Sequence, residues 1–346
     1  MIAYSNLGLR PLYGILLMVL FGVFSFAADA AEVGFRQMRV TAKGGGEKPA
    51  HFSLYYPTSD TARVIPMGPF TQTVAMNGIP EATFRGLLVF SHGTASTETG
   101  FATLAQSLAA HGYLVASVEH VGDNWKDQSM RANPGHYFAE RPRQASRVID
   151  TILADPLWSA RIAHASDNQP LIGAVGHSAG GYTVLALAGG KPQLSRLRKH
   201  CENQAELDPV LCKLASASQA ETEEPEESVA ADPRVRAVMA LAPLGVAFSE
   251  TSLASIQVPV AIYAGEKDTF LVPRFHALWV KQNMQGSNST LELVPNAGHY
   301  AFMNTPTMDL PSPDGSVAAD PPSFDRSAFL SRLAKEAIAF FDKNLR

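Results

Sequence analysis

Two kinds of hydrophobic pattern divide the chain. From Gly34 to Ala42 and from His51 to Tyr56, β-favouring residues alternate or cluster on either side of Lys43-Gly44-Gly45-Gly46, which predicts an antiparallel hairpin. From Gly86 onward, short unbroken apolar runs are each followed by apolar positions at helical spacing. This combination predicts parallel strands buried on both faces and joined by crossover helices. The predicted strands are Leu87–Ser91, Leu114–Val118, Ile172–Gly176, Val235–Leu241, Val258–Ala264 and Thr290–Val294. Between and after them, helices are predicted over Phe101–His111, Arg141–Leu153, Ala179–Ala188, Pro273–Asn283 and Arg326–Lys343. In the last, Phe329, Leu330, Leu333, Ala337 and Phe340 recur on one face. The fold class is α/β, with a mostly parallel central sheet and helices on both faces.

Two regions break the pattern. Between Lys191 and Pro233, a basic stretch (Arg196, Arg198, Lys199, His200) leads into Cys201 and Cys212, and then into an acidic run from Glu221 to Glu227. This is an insertion after the helix that follows Ile172–Gly176. Its first half is expected to fold as helices and its acidic half to remain mobile; a lid over the site and a solvated surface excursion are both open readings. Met303–Ser323, rich in proline, is a second long loop and could border the same site.

The first thirty residues have a different character. Arg10 lies in a short polar start, Leu12 to Ala28 is apolar, and Ala28-Asp29-Ala30 offers small residues for cleavage. The run is shorter than the ~20 residues of a membrane span, so it reads as an export signal over 1–30, removed after Ala30. One domain over 31–346 then remains, with 191–233 as its insertion, in the periplasm or outside the cell. In an oxidising compartment the two cysteines are expected to pair as Cys201–Cys212. They lack the two-to-four spacing of a metal site.

The chemistry centres on Gly176-His177-Ser178-Ala179-Gly180-Gly181, set between a strand and a helix. A nucleophile elbow requires this context: a sharp turn that presents a serine above the sheet, with small neighbours to let the turn close. Ser178 is the candidate nucleophile, and His177 is read as structural. A serine hydroxyl needs a base, and the base an orienting acid, in the chain order serine, acid, histidine. His299 follows the last strand in Pro295-Asn296-Ala297-Gly298-His299 and is the candidate base, while His276 is read as a surface or partly packed residue. Asp268, in Gly265-Glu266-Lys267-Asp268, is the candidate acid, with Glu266 as its rival. Backbone amides of Ala179 and Thr94 are the candidate oxyanion donors, Thr94 lying in Ser91-His92-Gly93-Thr94 after an earlier strand. His92 is read as bracing that loop. Glu119, His120 and Asp123 could suggest a metal, but their placement in a loop after a strand argues against it.

These motifs, with Leu108 to Tyr113, Val118-Glu119-His120 and Gly298-His299, resemble the bacterial α/β hydrolases similar to platelet-activating-factor acetylhydrolase, often labelled predicted dienelactone hydrolases. The resemblance spans about Gly86 to Phe302 and implies an α/β-hydrolase fold. It also implies hydrolysis of short-chain or oxidised acyl esters through an acyl-enzyme, without a metal or other cofactor. Two departures stand out. True dienelactone hydrolases carry cysteine at the nucleophile, and the mammalian acetylhydrolases have a bulky aromatic where this chain has Ala179.

The net charge of −4 over 346 residues supplies no basic field for nucleic acid or anionic lipid. The expected partner is a small-molecule ester, with no stable membrane anchor once the signal is cleaved. A serine peptidase or amidase on the same scaffold is the alternative, and a non-catalytic binding protein a more distant one.

Overall fold

The computed structural model describes residues 1–2, 31–40, 50–217, 229, 231–284 and 288–346. The expectations for the export signal, the Lys43–Gly46 turn and the acidic run fall outside the described residues. Ala31–Arg346 forms one compact unit.

The chain opens with β1 (Glu32–Val40) and β2 (Ala50–Thr58), paired antiparallel from Glu32 against Thr58 to Val40 against Ala50. β3 (Arg63–Met67) and β4 (Phe70–Met76) form a second hairpin that the hydrophobic pattern did not predict. The alternating part follows: β5 (Leu87–Ser91), α1 (Ala102–Ala110), β6 (Leu114–Glu119), α2 (Pro134–Ala154), α3 (Pro156–Ser159), β7 (Ile172–His177) and α4 (Ala179–Leu187). The insertion contributes α5 (Leu194–Gln204) and α6 (Pro209–Ala217). The sheet then resumes with β8 (Val235–Leu241), α7 (Glu250–Ala254), β9 (Val260–Gly265), α8 (Ala277–Asn283) and β10 (Ser289–Val294), and the chain closes with α9 (Arg326–Asn344).

The ten strands lie in the order β10-β9-β8-β7-β5-β6-β2-β1-β4-β3. β10 through β6 are parallel, and the early hairpins extend the sheet beyond β6 with mostly antiparallel pairing. Successive side chains of a strand point to opposite faces, so each parallel strand feeds two cores. Leu87 and Val89 pack on the side of α2 and α4, with Ala145, Val148, Ile149 and Leu185. Leu88 and Phe90 pack on the side of α1 and α9, with Leu104, Leu108, Phe329, Leu333 and Phe341. Each large apolar side chain buried in this way contributes about 1.5–3 kcal/mol.

The second crossover helix begins seven residues earlier than Arg141, the start that the sequence predicts. Asn133 caps it by accepting the His136 amide at 2.9 Å, and Pro134 occupies the first turn, where its missing N–H costs nothing. Pro142 lies inside the helix. It cannot donate to the carbonyl four residues back, and the Tyr182 hydroxyl donates to that carbonyl, Phe138 O, at 2.9 Å instead.

Candidate active site

Ser178 sits between β7 and α4 with φ +57° and ψ −118°. Such a conformation costs a non-glycine residue about 1–3 kcal/mol and survives only where its surroundings dictate it. Here the Ser178 amide donates to Leu241 O at 2.9 Å, and the Ser178 carbonyl accepts from the amides of Leu244 (3.0 Å) and Tyr182 (3.1 Å). The turn closes because two glycines leave room: a side chain at Gly176 would strike the carbonyl of Gly180, and one at Gly180 the carbonyl of Ser91. Ala179 begins α4, so its amide has no intrahelical acceptor.

β9 and β10 run parallel, and the turns after them bring Asp268 and His299 together. Nδ1 of His299 lies 2.8 Å from Oδ2 of Asp268. The other carboxylate oxygen accepts the amides of Phe270 (2.9 Å) and Leu271 (2.8 Å), which fixes the carboxyl plane. Phe270 stacks on the His299 ring at 4.6 Å between centroids. The hydrogen-bond pattern assigns the proton to Nδ1 and leaves Nε2 an acceptor. Glu266 is held elsewhere, accepting the Asn296 amide at 3.1 Å. His177 donates through Nε2 to the carbonyl of His299 at 2.9 Å, so its contact is with the backbone of that turn; burial pushes its pKa well below the ordinary value. No hydrogen bond joins the Ser178 hydroxyl to His299 among the described residues. Pairs of this kind often tighten only with substrate in place.

The opposite flank of Ser178 is the loop after β5. Thr94 donates its hydroxyl to Asp123 Oδ1 at 2.8 Å, and the Ala95 amide donates to the same oxygen at 3.0 Å, with Ala95 at φ +55°. The second oxygen of Asp123 pairs with Arg141, and both side chains are fully buried. Arg141 also donates to the carbonyl of His92, to Ser91 Oγ (3.3 Å) and to Thr183 Oγ (3.1 Å). His92 donates through Nδ1 to Gly93 O at 2.7 Å and accepts the His120 amide at 3.1 Å. Burial, then the neighbouring Arg141 charge, bring its pKa down to about 4. His120 bridges Ser91 Oγ (2.8 Å) and Gln144 Oε1 (3.0 Å), and burial holds it well below the ordinary histidine value. His120 and Asp123 therefore have protein partners within this loop support. The Asp123–Arg141 pair escaped sequence reasoning. Its one linear signal is a charge inside the apolar stripe Phe138, Ala145, Val148, Ile152 of α2.

Ser178 and Thr94 lie where two cavities meet. The first, of about 1250 Å³, is lined by Ala179, Phe138 and Leu244 and by the inner faces of α5 and α6, including Leu197, Leu211 and both cysteines. The second, of about 1340 Å³, is lined by His299, Tyr300, Met67 and residues of the 303–317 segment, such as Met308 and Leu310. The proline-rich loop thus borders the site. Cys201 and Cys212 form a disulfide across the α5–α6 pair.

A second tether holds this helical pair. Asp208 Oδ2 accepts from His200 Nε2 at 2.8 Å and from His276 Nε2 at 2.9 Å, while His276 Nδ1 accepts the Gly245 amide at 3.2 Å. Burial raises the Asp208 carboxyl, but the hydrogen bonds from the two histidines outweigh it and take the pKa down to about 2. His276, expected at the surface or partly packed, is 1% exposed because it anchors the insertion to the loop after β8.

A family model described as platelet-activating factor acetylhydrolase, isoform II, matches residues 71–148, the stretch from β4 through most of α2 that carries Thr94, Asp123 and Arg141. A ferulic acid esterase from Streptomyces cinnamoneus shares the fold, with a TM-score of 0.63 over 92% of each chain at 18% identity. The chain thus has the fold of that esterase, and over residues 71–148 it is similar to the platelet-activating factor acetylhydrolase family. No curated protein sequence matches the chain. The expected mostly parallel sheet with helices on both faces is the architecture found.

Proposed function

We propose that this hydrolase cleaves carboxylic esters through an acyl-enzyme, with Ser178 as nucleophile, His299 as base and Asp268 as the acid that orients it. Ester hydrolysis is the activity named for both the matched family and the structural neighbour. The observation that carries the residue assignment is the strained Ser178 turn sharing a cavity with a His299 whose far nitrogen is bound at 2.8 Å to Asp268. In this mechanism Ser178 Oγ attacks the carbonyl carbon while its proton passes to His299 Nε2. The amides of Thr94 and Ala179 receive the oxyanion, each donor contributing roughly 2.7–4 kcal/mol in comparable sites. His299 then returns the proton to the leaving alcohol, and water repeats the sequence on the acyl-enzyme. Asp268 stabilises the imidazolium without taking up its proton.

We also read the hydrolase as exported, with residues 1–30 as a cleaved signal. The apolar run at Leu12–Ala28 and the Cys201–Cys212 disulfide support that reading. No helix among the described residues is long and apolar enough to cross a membrane. The decisive test is turnover of nitrophenyl esters beside an aminoacyl anilide, for wild type and Ser178→Ala. Ester turnover should fall by at least about 10⁴-fold in the variant with the melting temperature retained. Anilide turnover without ester turnover would replace the esterase by an amidase.

A further inference from the structure

The two cavities that meet at Ser178 differ in which catalytic group each contains. His299 lines only the larger one, and Ala179 only the one beneath α5 and α6. In an acyl transfer the tetrahedral carbon carries Ser178 Oγ, the oxyanion, the leaving oxygen and the acyl chain. The leaving oxygen must lie within reach of His299 Nε2, because that nitrogen delivers its proton. The oxyanion occupies the space at Thr94 and Ala179. The acyl chain takes the remaining direction, away from His299.

We infer that the acyl group binds beneath the disulfide-clipped α5–α6 pair and the alcohol in the cleft bordered by Met67 and Met308, and that the preferred esters carry aliphatic acyl groups well longer than acetyl. This rests on the esterase reading and adds to it the direction and size of the substrate. The acyl cavity is walled by Phe138, Leu197, Leu211, Leu244 and Leu271, side chains that offer an alkyl chain dispersion contacts, with the exposed Arg198, Glu202 and Lys213 also lining it. Pockets that bury drug-sized ligands measure roughly 300–1,000 Å³, so a space of about 1250 Å³ is far more than a two-carbon acyl group fills. The α5–α6 pair is therefore a specificity element as well as a cover.

The test uses two substrate series on the mature protein: nitrophenyl esters of two to twelve acyl carbons, and butanoate esters of phenol and naphthol. In the wild type, kcat/KM should rise by about fourfold per added methylene until the cavity is filled. Leu197→Trp narrows the acyl cavity; Ala205→Trp does the same from an exposed position, which keeps the test available if the first variant fails to fold. Either should move the optimum to shorter chains and cut the long-to-short ratio at least tenfold, leaving the naphthol-to-phenol ratio alone. Met308→Trp, in the other cleft, should do the reverse. Acyl-cavity variants that alter alcohol preference and spare the chain-length profile would overturn the assignment, as would a wild-type optimum at acetyl. Wild-type silence towards every ester is a different result, because it removes the esterase reading itself.

Discussion

Ser178 is flanked by two regions built in contrasting ways. On the Thr94 side, the loop after β5 rests on a fully buried ion pair, Asp123–Arg141, whose donors also hold the carbonyl of His92 and the hydroxyls of Ser91 and Thr183. On the α5–α6 side, the helices show the core few buried side chains. They are clipped to each other by one disulfide and joined to the rest of the fold by Asp208 between His200 and His276, by Arg196 over the Trp279 ring and by His200 against Phe275. On the proposed mechanism, the difference separates two tasks. A group that receives developing charge must be in place before the reaction, since reorganising it at that moment costs rate. A wall that sizes an acyl chain can tolerate movement, and tethering it at a few points leaves it free to adjust.

The largest effect should come from breaking the rigid side. Arg141→Met leaves Asp123 charged, buried and unpaired, a loss of about 3–5 kcal/mol. Urea unfolding should show this as a lower midpoint, and the surviving folded fraction should lose kcat more than it gains KM. A Met variant with wild-type stability would mean that the pair is not what holds the loop.

Acid should separate the two sides without mutation. His92, His120 and His177 have folded-state pKa values below the unfolded value of about 6.5. Below that pH the unfolded chain takes up protons that the folded chain refuses. The stability these histidines contribute is therefore complete above about 6.5 and is lost as pH falls towards their folded values. For His92, with a folded value of about 4, the loss is about 3 kcal/mol. Asp208, held down to about 2, keeps its contribution until pH falls below the unfolded carboxyl value of about 3.9 and loses it on the way to 2. Between pH 6.5 and 4, the core around the Thr94 loop should weaken while the Asp208 tether holds. Urea midpoints across that range, with hydrogen exchange on α5 and α6, would reveal the opposite order if it occurs.

Asp208→Asn should have the smallest effect on global stability, about 2 kcal/mol or less. It should accelerate exchange in α5 and α6 while leaving exchange in the β5–α1 loop unchanged. Equal acceleration in both would dissolve the distinction between the flanks.

The same contrast explains what could be read from the linear chain. The parallel strands were legible almost to the residue because burial on both faces leaves an unbroken apolar run, as in Leu87–Ser91 and Val235–Leu241. The proposed Ser178, Asp268 and His299 stand out in the sequence because each lies in the turn after a strand, within three residues of a glycine. β3 and β4 do not: Pro66, Gly68 and Pro69 interrupt them, and β3, at the sheet edge, is mostly exposed and carries almost no hydrophobic pattern. The Asp123–Arg141 pair and the Asp208 tether were hidden for another reason. They join residues 18 and 68 positions apart through side chains that look in sequence like ordinary surface charges and histidines.

Pro142 gives α2 a fixed mark along its length. Its ring frees one carbonyl, at Phe138, and the Tyr182 hydroxyl of α4 answers it, while the adjacent Arg141 meets the adjacent Thr183. Two neighbours on one helix thus engage two neighbours on the other, like a key cut with two teeth. Sliding α2 by a single turn would misalign both at once, so the guanidinium beneath the Thr94 loop is indexed to the helix that begins just after Ser178 by a residue usually regarded as a helix breaker.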